Sequence, residues 1–218
     1  MSLQTPKKSV QTLQKTLQTK AKAEPGFRFY SLWDKVVRED VLRDAWRRSR
    51  SNGGSPGVDG ESFEAIETRG VDGWLGNLQQ ELKSGMYRPQ PLLRVWIPKP
   101  NGKLRPLSIP TIRDRVVETA TVLVMAPIFE PDLLEEQHGF REGKSAKTAL
   151  REVHFQVSRR GKTEVVDADL ASYFESIPHG RLIRCLFRRI SDGHLLSMIK
   201  RWLVAPVVER GKGRETVT

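Results

Sequence analysis

The chain has 218 residues, of which 37 are Lys or Arg and 26 are Asp or Glu, which gives a formal charge of +11 and a pI of about 10.0. This charge points to a polyanionic partner, although a soluble protein with a merely basic surface has the same balance. No apolar run reaches about 18 residues, which excludes a helix long enough to span a membrane. The start carries no apolar signal core and Cys185 is the sole cysteine, so we expect a reducing cytoplasm and no internal disulfide.

Residues 1–26 are rich in lysine, and their only acid is Glu24. We expect this segment to be a basic flexible tail, because it has no aromatic side chain and few apolar ones. Val10, Leu13 and Leu17 recur at helical spacing, so a short helix formed on RNA or on the body of the protein is the alternative.

A helical region extends from residue 27 to about residue 90. Asp40 is a candidate N-cap for its first long helix, which runs past Trp46. A second helix has an apolar stripe around Leu78 and is expected to stop at Gly85. One face of the first helix collects four arginines, which either contact nucleic acid or only complement the helix dipole: Arg43, Arg47, Arg48 and Arg50.

Residues 52–60, between these two helices, contain four glycines. The backbone amides of such a loop could lie against phosphates, or the loop could simply turn the chain. It is not a nucleotide-binding P-loop, because no Gly-Lys-Ser/Thr follows and no strand precedes it.

Two strand-like runs, 92–97 and 104–109, flank an Asn-Gly pair, which is a strong hairpin signal. Lys99, Lys103 and Arg105 make the hairpin tip basic, which suits contact with a triphosphate or a template backbone. The alternative is a charged edge that only prevents aggregation.

Four further helices are predicted downstream. Thr111 caps one that runs through Ala126, and Ser145 caps one that we expect to be buried along Leu150 and Val153. The last two helices have apolar faces, and Cys185 shares such a face, which predicts packing rather than reactivity. Their exposed faces are expected to carry six cations: Arg181, Arg184, Arg188, Arg189, Lys200 and Arg201.

Residues 163–170 read as a short apolar strand that ends in Asp167-Ala168-Asp169, with Phe174 five positions after Asp169. A carboxylate held at a strand end is a hard oxygen ligand suited to Mg²⁺ in phosphoryl transfer. By itself the pattern is weak, because phosphatases, glycosyltransferases and plain turns also contain it.

Five blocks occur in order along the chain: LWDKVVREDVLRDAWRRSRSNGGSPGVDG at 32–60, VWIPKPNGKLRPLSIPTIRDRVVETA at 95–120, HGFREGKSAKTAL at 138–150, VVDADLASYFESIPH at 165–179 and RRISDGHLLSMIKRWL at 188–203. Together they resemble the N-terminal part of bacterial group II intron-encoded reverse transcriptases, also called maturases. An unrelated Mg²⁺ enzyme with the same Asp-x-Asp pattern is the weaker alternative.

The resemblance implies an α+β fold in a bacterial cytoplasmic protein. A tail at 1–26 would precede a helical N-terminal extension at 27–90, fingers with the basic hairpin at 91–160, and the start of a palm at 161–218. The palm strand would lack partners from these residues, so its exposed edge could allow a homodimer.

The resemblance also implies site residues. Asp169 would be the catalytic Mg²⁺ ligand, and Phe174 would lie under the incoming sugar and exclude a 2′-hydroxyl. Lys99 and Arg105 would contact the incoming triphosphate, while Arg141 would brace the template-side pocket. The chain departs from the family at two acidic positions, Glu142 and Glu175.

The implied function is RNA-directed DNA polymerisation, with intron RNA, a DNA primer and dNTPs as partners and with a role in RNA splicing. The family's Tyr-Ala-Asp-Asp block, which supplies the remaining metal-binding aspartates, is expected beyond Thr218. We therefore expect these 218 residues to be inactive alone. The alternative is a non-catalytic module that binds intron RNA.

Overall fold

The computed structural model describes residues 7–170, 172–209 and 214–215. This part of the chain combines helices with one small sheet, as the predicted α+β class requires, and none of its helices is long and apolar enough to cross a membrane. The helices are α1 (Lys7–Ala23), α2 (Trp33–Val36), α3 (Glu39–Asn52), α4 (Phe63–Arg69), α5 (Val71–Lys83), α6 (Ile112–Phe129), α7 (Ala146–Ser158), α8 (Tyr173–Ser176), α9 (His179–Phe187) and α10 (Gly193–Leu203). The strands are β1 (Leu92–Pro98), β2 (Leu104–Ile109), β3 (Val207–Glu209) and β4 (Arg214–Glu215).

Helix α6 is the centre of the hydrophobic core. Its residues Val116, Val117 and Val124 are fully buried, because α1, α2 and α3 pack around it. Thr111 caps α6 as predicted, and its side chain accepts a hydrogen bond from the backbone N–H of Asp114. The first long helix, α3, begins at Glu39 with no side-chain cap, so the prediction that Asp40 caps it is wrong.

Helix α1 corrects the prediction of a flexible tail. Val10, Leu17 and Ala21 are buried against the body, and Gln14 Nε2 donates to the carbonyl of Leu123 at 3.0 Å. The helical spacing of these few apolar residues is enough to bury one face, while Lys15 and Lys22 are exposed. Residues 1–6 of the predicted tail lie outside the described residues.

The sheet has the strand order β2-β1-β3-β4. β1 and β2 are antiparallel, and the pair Pro98 and Leu104 is the last before the Asn-Gly turn, where Gly102 has a φ of 77°. β1 also pairs with β3 in parallel, with Leu93 opposite Val208, and β3 is antiparallel to β4. Strand β3 is not predicted from the sequence, because a three-residue strand gives no periodic signal.

Residues 186–203 dock onto the N-terminal helices. The Asp192 carboxylate caps α10 through the N–H of Leu195 at 3.0 Å and also accepts the N–H groups of Leu32 and Trp33 at 2.7 and 2.8 Å. Burial alone would raise the pKa of Asp192, but these backbone donors outweigh burial and lower it.

Arg189 completes this docking, which corrects its predicted exposure. The side chain is buried and donates to the carbonyls of Ala21 and Pro25 at the end of α1. Its Nε lies 3.1 Å from the Asp132 carboxylate. A cation at the carboxyl end of α1 satisfies carbonyls that the helix leaves free.

Residues 129–182 contrast with the rest of the fold, since none of the described residues in this range is buried. Helix α7 forms behind its Ser145 cap, but Leu150 and Val153 are exposed, so their predicted burial is wrong. The predicted strand at 163–170 is also wrong, because this segment is irregular and exposed. A strand needs a neighbour for its backbone hydrogen bonds, and the described residues place none beside it.

Candidate functional site

The basic hairpin tip presents its cations without local acidic partners. The N–H of Lys99 donates to the carbonyl of Lys103 at 2.7 Å, and this bond closes the turn. Among the described residues, no carboxylate forms a hydrogen bond or an ion pair with the side chains of Lys99, Lys103 or Arg105. The three charges are therefore available to an external anion.

The base of the hairpin is fixed by the buried Asp114. Its carboxylate accepts the Tyr87 hydroxyl at 2.5 Å, the Thr111 hydroxyl at 2.8 Å and the N–H of Gln90 at 3.0 Å. Burial, with the nearby Asp114 charge, raises the pKa of Tyr87 far above its ordinary value, so Tyr87 stays a donor. This cluster joins α6 to the chain just before β1 and sets where the hairpin projects.

The glycine-rich loop packs against the same region. The Arg115 side chain donates to the carbonyls of Pro110, Gly53 and Ser55, and so ties the loop to the start of α6. Gly57 lies so close to Thr111 that a Cβ on Gly57 would be 2.6 Å from the backbone nitrogen of Thr111. Two interpretations of the glycine-rich loop were open. These contacts favour a loop that turns the chain and packs on the start of α6, rather than a loop whose amides bind phosphate.

The arginines of α3 are neutralised within the molecule. Each forms an ion pair with nitrogen–oxygen distances of 2.5–3.2 Å: Arg43 with Glu39 and Asp72, Arg47 and Arg48 with Asp44, and Arg50 with Glu64 and Glu67. These pairs favour the structural interpretation of the cluster over contact with nucleic acid.

Asp169 lies in the irregular segment 161–170, exposed and with Asp167 two positions before it. The described residues contain no group of three or more His, Cys, Asp or Glu side chains that could hold a metal ion. The donor set for a divalent cation is thus not assembled by the described part of the chain, and no step of phosphoryl transfer follows from Asp169 alone.

Phe174 and Arg141 lie on segments that meet. The Phe174 ring packs against Phe140, with centroids 5.9 Å apart and planes at 87°, and against Tyr173 at 5.4 Å. Arg141 donates to Glu130 Oε1 at 2.5 Å, and this bond raises the pKa of Arg141.

Arg141 also donates to the carbonyls of Leu134 and Gln137, at 2.5 and 3.0 Å, so it holds the loop that carries Phe140. Across the described chain, no hydrogen bond, ion pair or ring contact joins Asp169, Lys99 or Arg105 to Phe174 or Arg141. Among the described residues, the predicted site residues therefore form two contact groups, the hairpin tip and the ring–loop contact, and Asp169 makes no such contact with either.

Sequence reasoning missed the residues that position the hairpin. Tyr87 belongs to no motif, whereas Gly57 and Arg115 lie inside the quoted blocks without an assigned role. Only their packing reveals what these three residues do. The sequence offers one signal for this cluster, which is the acid Asp114 in the first turn of α6. An acid at that place is equally explained by stabilisation of the helix dipole, so it does not by itself indicate a contact with the hairpin.

The family model for reverse transcriptase (RNA-dependent DNA polymerase) matches residues 97–218 of the chain. Among curated relatives, Protein YkfC of Escherichia coli (strain K12) is 37% identical over 208 residues, which are 93% of this chain and 54% of that protein. The group II intron-encoded protein LtrA of Lactococcus lactis subsp. cremoris is 31% identical over 86% of this chain and 31% of its own length. Nuclear intron maturase 2, mitochondrial, of Arabidopsis thaliana is 30% identical over 48% of this chain and 14% of its own. The chain thus spans about half the length of the first of these relatives and less of the others.

Proposed function

This chain belongs to the reverse transcriptase (RNA-dependent DNA polymerase) family, and on that premise we propose that it serves in RNA-directed DNA synthesis by a group II intron-encoded protein of the bacterial cytoplasm. The observation that carries the proposal is the family match over residues 97–218, which includes the hairpin tip with β2, the Arg141 loop and the Asp169 segment. The proposed partners are intron RNA, as template and splicing substrate, a DNA primer and dNTPs.

In this proposal Lys99 and Arg105 bind the triphosphate of the incoming nucleotide, because their charges meet no acid within the described chain. Phe174 lies beside the sugar, where its exposed ring can exclude a 2′-hydroxyl. Arg141 supports this ring indirectly, through the loop that it fixes to Glu130. Asp169 is the proposed Mg²⁺ ligand, and a bound Mg²⁺ supplies neutralisation of charge on the transferring phosphate.

The proposal includes inactivity of the 218 residues by themselves, since Asp169 is not joined by further metal-binding carboxylates in the described part. We expect the purified chain to leave a DNA primer on an RNA template unextended when Mg²⁺ and dNTPs are present. A longer relative assayed in parallel verifies the reagents. Efficient templated extension by the chain alone would contradict this part of the proposal.

A second candidate is a non-catalytic module that binds intron RNA, which is favoured by the charge of +11 and by hairpin-tip cations that pair with no carboxylate of the described chain. We expect preference for a structured intron RNA over an unrelated RNA of equal length. If six or more phosphates are contacted, affinity should fall about 10³-fold between about 50 and 200 mM salt. Equal affinity for both RNAs, erased by salt, would show that net charge alone explains binding.

The proposal extends to a homodimer. The described structure forms no strand at 163–170, so the predicted strand edge is replaced by the exposed apolar side chains of α7, among them Leu150 and Val153. Sedimentation equilibrium tests it. We expect a mass that rises toward twice 24.8 kDa with concentration, and a monomer at all concentrations would contradict it.

A further inference from the structure

The outer face of α9 carries a row of arginines that the proposed function leaves unassigned. Arg181 and Arg184 of α9 and Arg188, its C-cap in helical conformation, stand at positions i, i+3 and i+7, so they share one side of the helix and span about 10 Å along it. All three side chains are exposed, while Ile183 on the opposite side is buried.

This row has no acidic partner in the part of the chain that the structure describes. The only acid between residues 179 and 203 is Asp192, whose two oxygens already accept three backbone N–H groups. The contrast with α3 is direct, because α3 carries four arginines and pairs every one of them with a carboxylate. Neighbouring guanidinium groups that lack an acidic partner repel one another, and this repulsion lowers the stability of the folded state. A bound polyanion would offset the repulsion.

The segment before α2 adds a fourth arginine and aromatic surface to this face. Phe29 bridges to Ile190, with its N–H 2.8 Å from the carbonyl of Arg189. Because Phe29 is buried, its neighbours on the extended segment point outward. The Arg28 guanidinium lies 5.4 Å from the centre of the Phe187 ring, and Tyr30 is 72% exposed.

We propose that this surface, termed the α9 arginine face and formed by Arg28, Tyr30, Arg181, Arg184, Phe187 and Arg188, binds a single-stranded segment of RNA. The guanidinium groups contact successive phosphates, since Arg matches phosphate geometry through paired donors. Tyr30 stacks on a base, because exposed aromatic rings beside a basic track are how proteins hold single strands. The inference rests on the proposed function for RNA as the partner, and it names a contact surface separate from the hairpin tip.

The test compares two triple variants of the full chain, R181Q/R184Q/R188Q on α9 and R43Q/R47Q/R48Q on α3. Both lower the formal charge of +11 by three, so net charge is matched. Affinity for a fluorescein-labelled oligouridylate is measured across a salt series. We expect the slope of log K against log salt to become less negative by about 2 in the α9 variant, and to change by less than half as much in the α3 variant. Equal changes in the two variants would overturn the proposal.

Substitution of Tyr30 separates RNA from an acidic protein partner, which would need the charges but no ring for base stacking. We expect Tyr30→Ala to weaken oligouridylate binding about tenfold and Tyr30→Phe to keep it, because stacking requires only the ring. Unchanged binding by Tyr30→Ala would overturn the stacking contact and leave an acidic partner as the better match for the charges.

Cys185 provides an independent readout, because it is the sole cysteine and lies on α9 between Arg181 and Arg188. It is exposed, so the prediction that it packs on the apolar face is wrong. We expect saturating oligouridylate to slow alkylation of Cys185 by a maleimide several-fold, and to slow it much less in the α9 variant. Binding without protection of Cys185 would overturn this assignment and leave the proposed function standing. A chain that binds no RNA at all would instead contradict the proposed function.

Discussion

At the scale of single residues, Gly57 is the position where packing leaves least room. A Cβ there would lie 2.6 and 2.7 Å from backbone atoms of Thr111, which cannot rotate away as a side chain can. We expect Gly57→Ala to lower the free energy of unfolding by about 1–3 kcal/mol or more, because overpacking forces a backbone shift. Urea unfolding followed by circular dichroism measures the change.

Gly73 gives the matched control for this substitution. It lies inside α5, and nothing stands within 4 Å of a Cβ built on it. Alanine in a helix interior is favoured over glycine by about 0.5–1 kcal/mol, so Gly73→Ala should raise stability. Similar destabilisation by both substitutions would show that the loop is not packed against Thr111.

Glu118 makes stability depend on pH. Burial, reinforced by the charge of Asp114 and opposed by Arg115, raises the pKa of Glu118 from its ordinary 4.5 to about 7. Between these values the folded state binds more protons than the unfolded state, so stability falls as pH rises through this window. The shift corresponds to about 3 kcal/mol that is fully present below the lower value and lost above the higher one.

Glu118→Gln isolates this contribution, because the variant cannot ionise there. We expect the difference between unfolding free energies at about pH 5 and about pH 8 to shrink by about 2.5 kcal/mol in the variant, because pH 5 already lies above the lower of the two pKa values. Denaturant unfolding at both values measures it. The same pH dependence in both proteins would place the Glu118 carboxylate in water rather than in the core.

At the scale of elements, α1 is a structural helix and its removal from the core should be costly. Leu17 is buried against the helical core, so Leu17→Ala should lower the free energy of unfolding by about 2–5 kcal/mol. Gln18 is exposed on the same helix, and Gln18→Ala should change it by less than about 0.5 kcal/mol. Thermal unfolding measures the stability of the two variants. An equally small effect of both substitutions would show that α1 is not packed on the core and would support the flexible tail that the composition predicts.

The elements that the sequence predicts correctly are those whose signal is local. The Asn101-Gly102 turn, the Thr111 and Ser145 caps and the apolar stripe along Leu78 all lie where the pattern places them. The errors fall where burial depends on distant partners. Three apolar residues suffice to dock α1 on α6, while the apolar residues of α7 and of the 163–170 segment meet no partner among the described residues.

The candidate site follows the same division. Lys99 and Arg105 can be placed on a hairpin from sequence alone, because strand pairing fixes both. The resemblance selects Asp169, Phe174 and Arg141 as site residues. It does not predict the bond of Arg141 to Glu130, because the loop that carries Arg141 is irregular and has no periodic sequence pattern. Likewise, arginines recur at helical spacing on both α3 and α9, and only the structure shows which set is neutralised.

At the scale of the whole molecule, two well-packed parts distant in sequence are held together across an open segment. Residues 10–128 and 183–207 both contribute buried side chains, whereas none of the described residues from 129 to 182 does. Segments with few buried contacts open at low free energy and are cleaved first. The bonds of Asp192 and Arg189 to the N-terminal helices do not pass through that segment.

We therefore expect brief trypsin treatment of the native chain to cut first near Arg159, Arg160 and Lys162, where exposed cations follow the end of α7. The two fragments should elute together in gel filtration, because the Asp192 and Arg189 contacts and the Phe29–Ile190 bridge survive the cut. Asp192→Ala removes the carboxylate that joins α10 to Leu32 and Trp33, so its fragments should separate more readily. Separate elution of the native fragments, or first cleavage within α3, would show that α9 and α10 are not docked on the N-terminal helices.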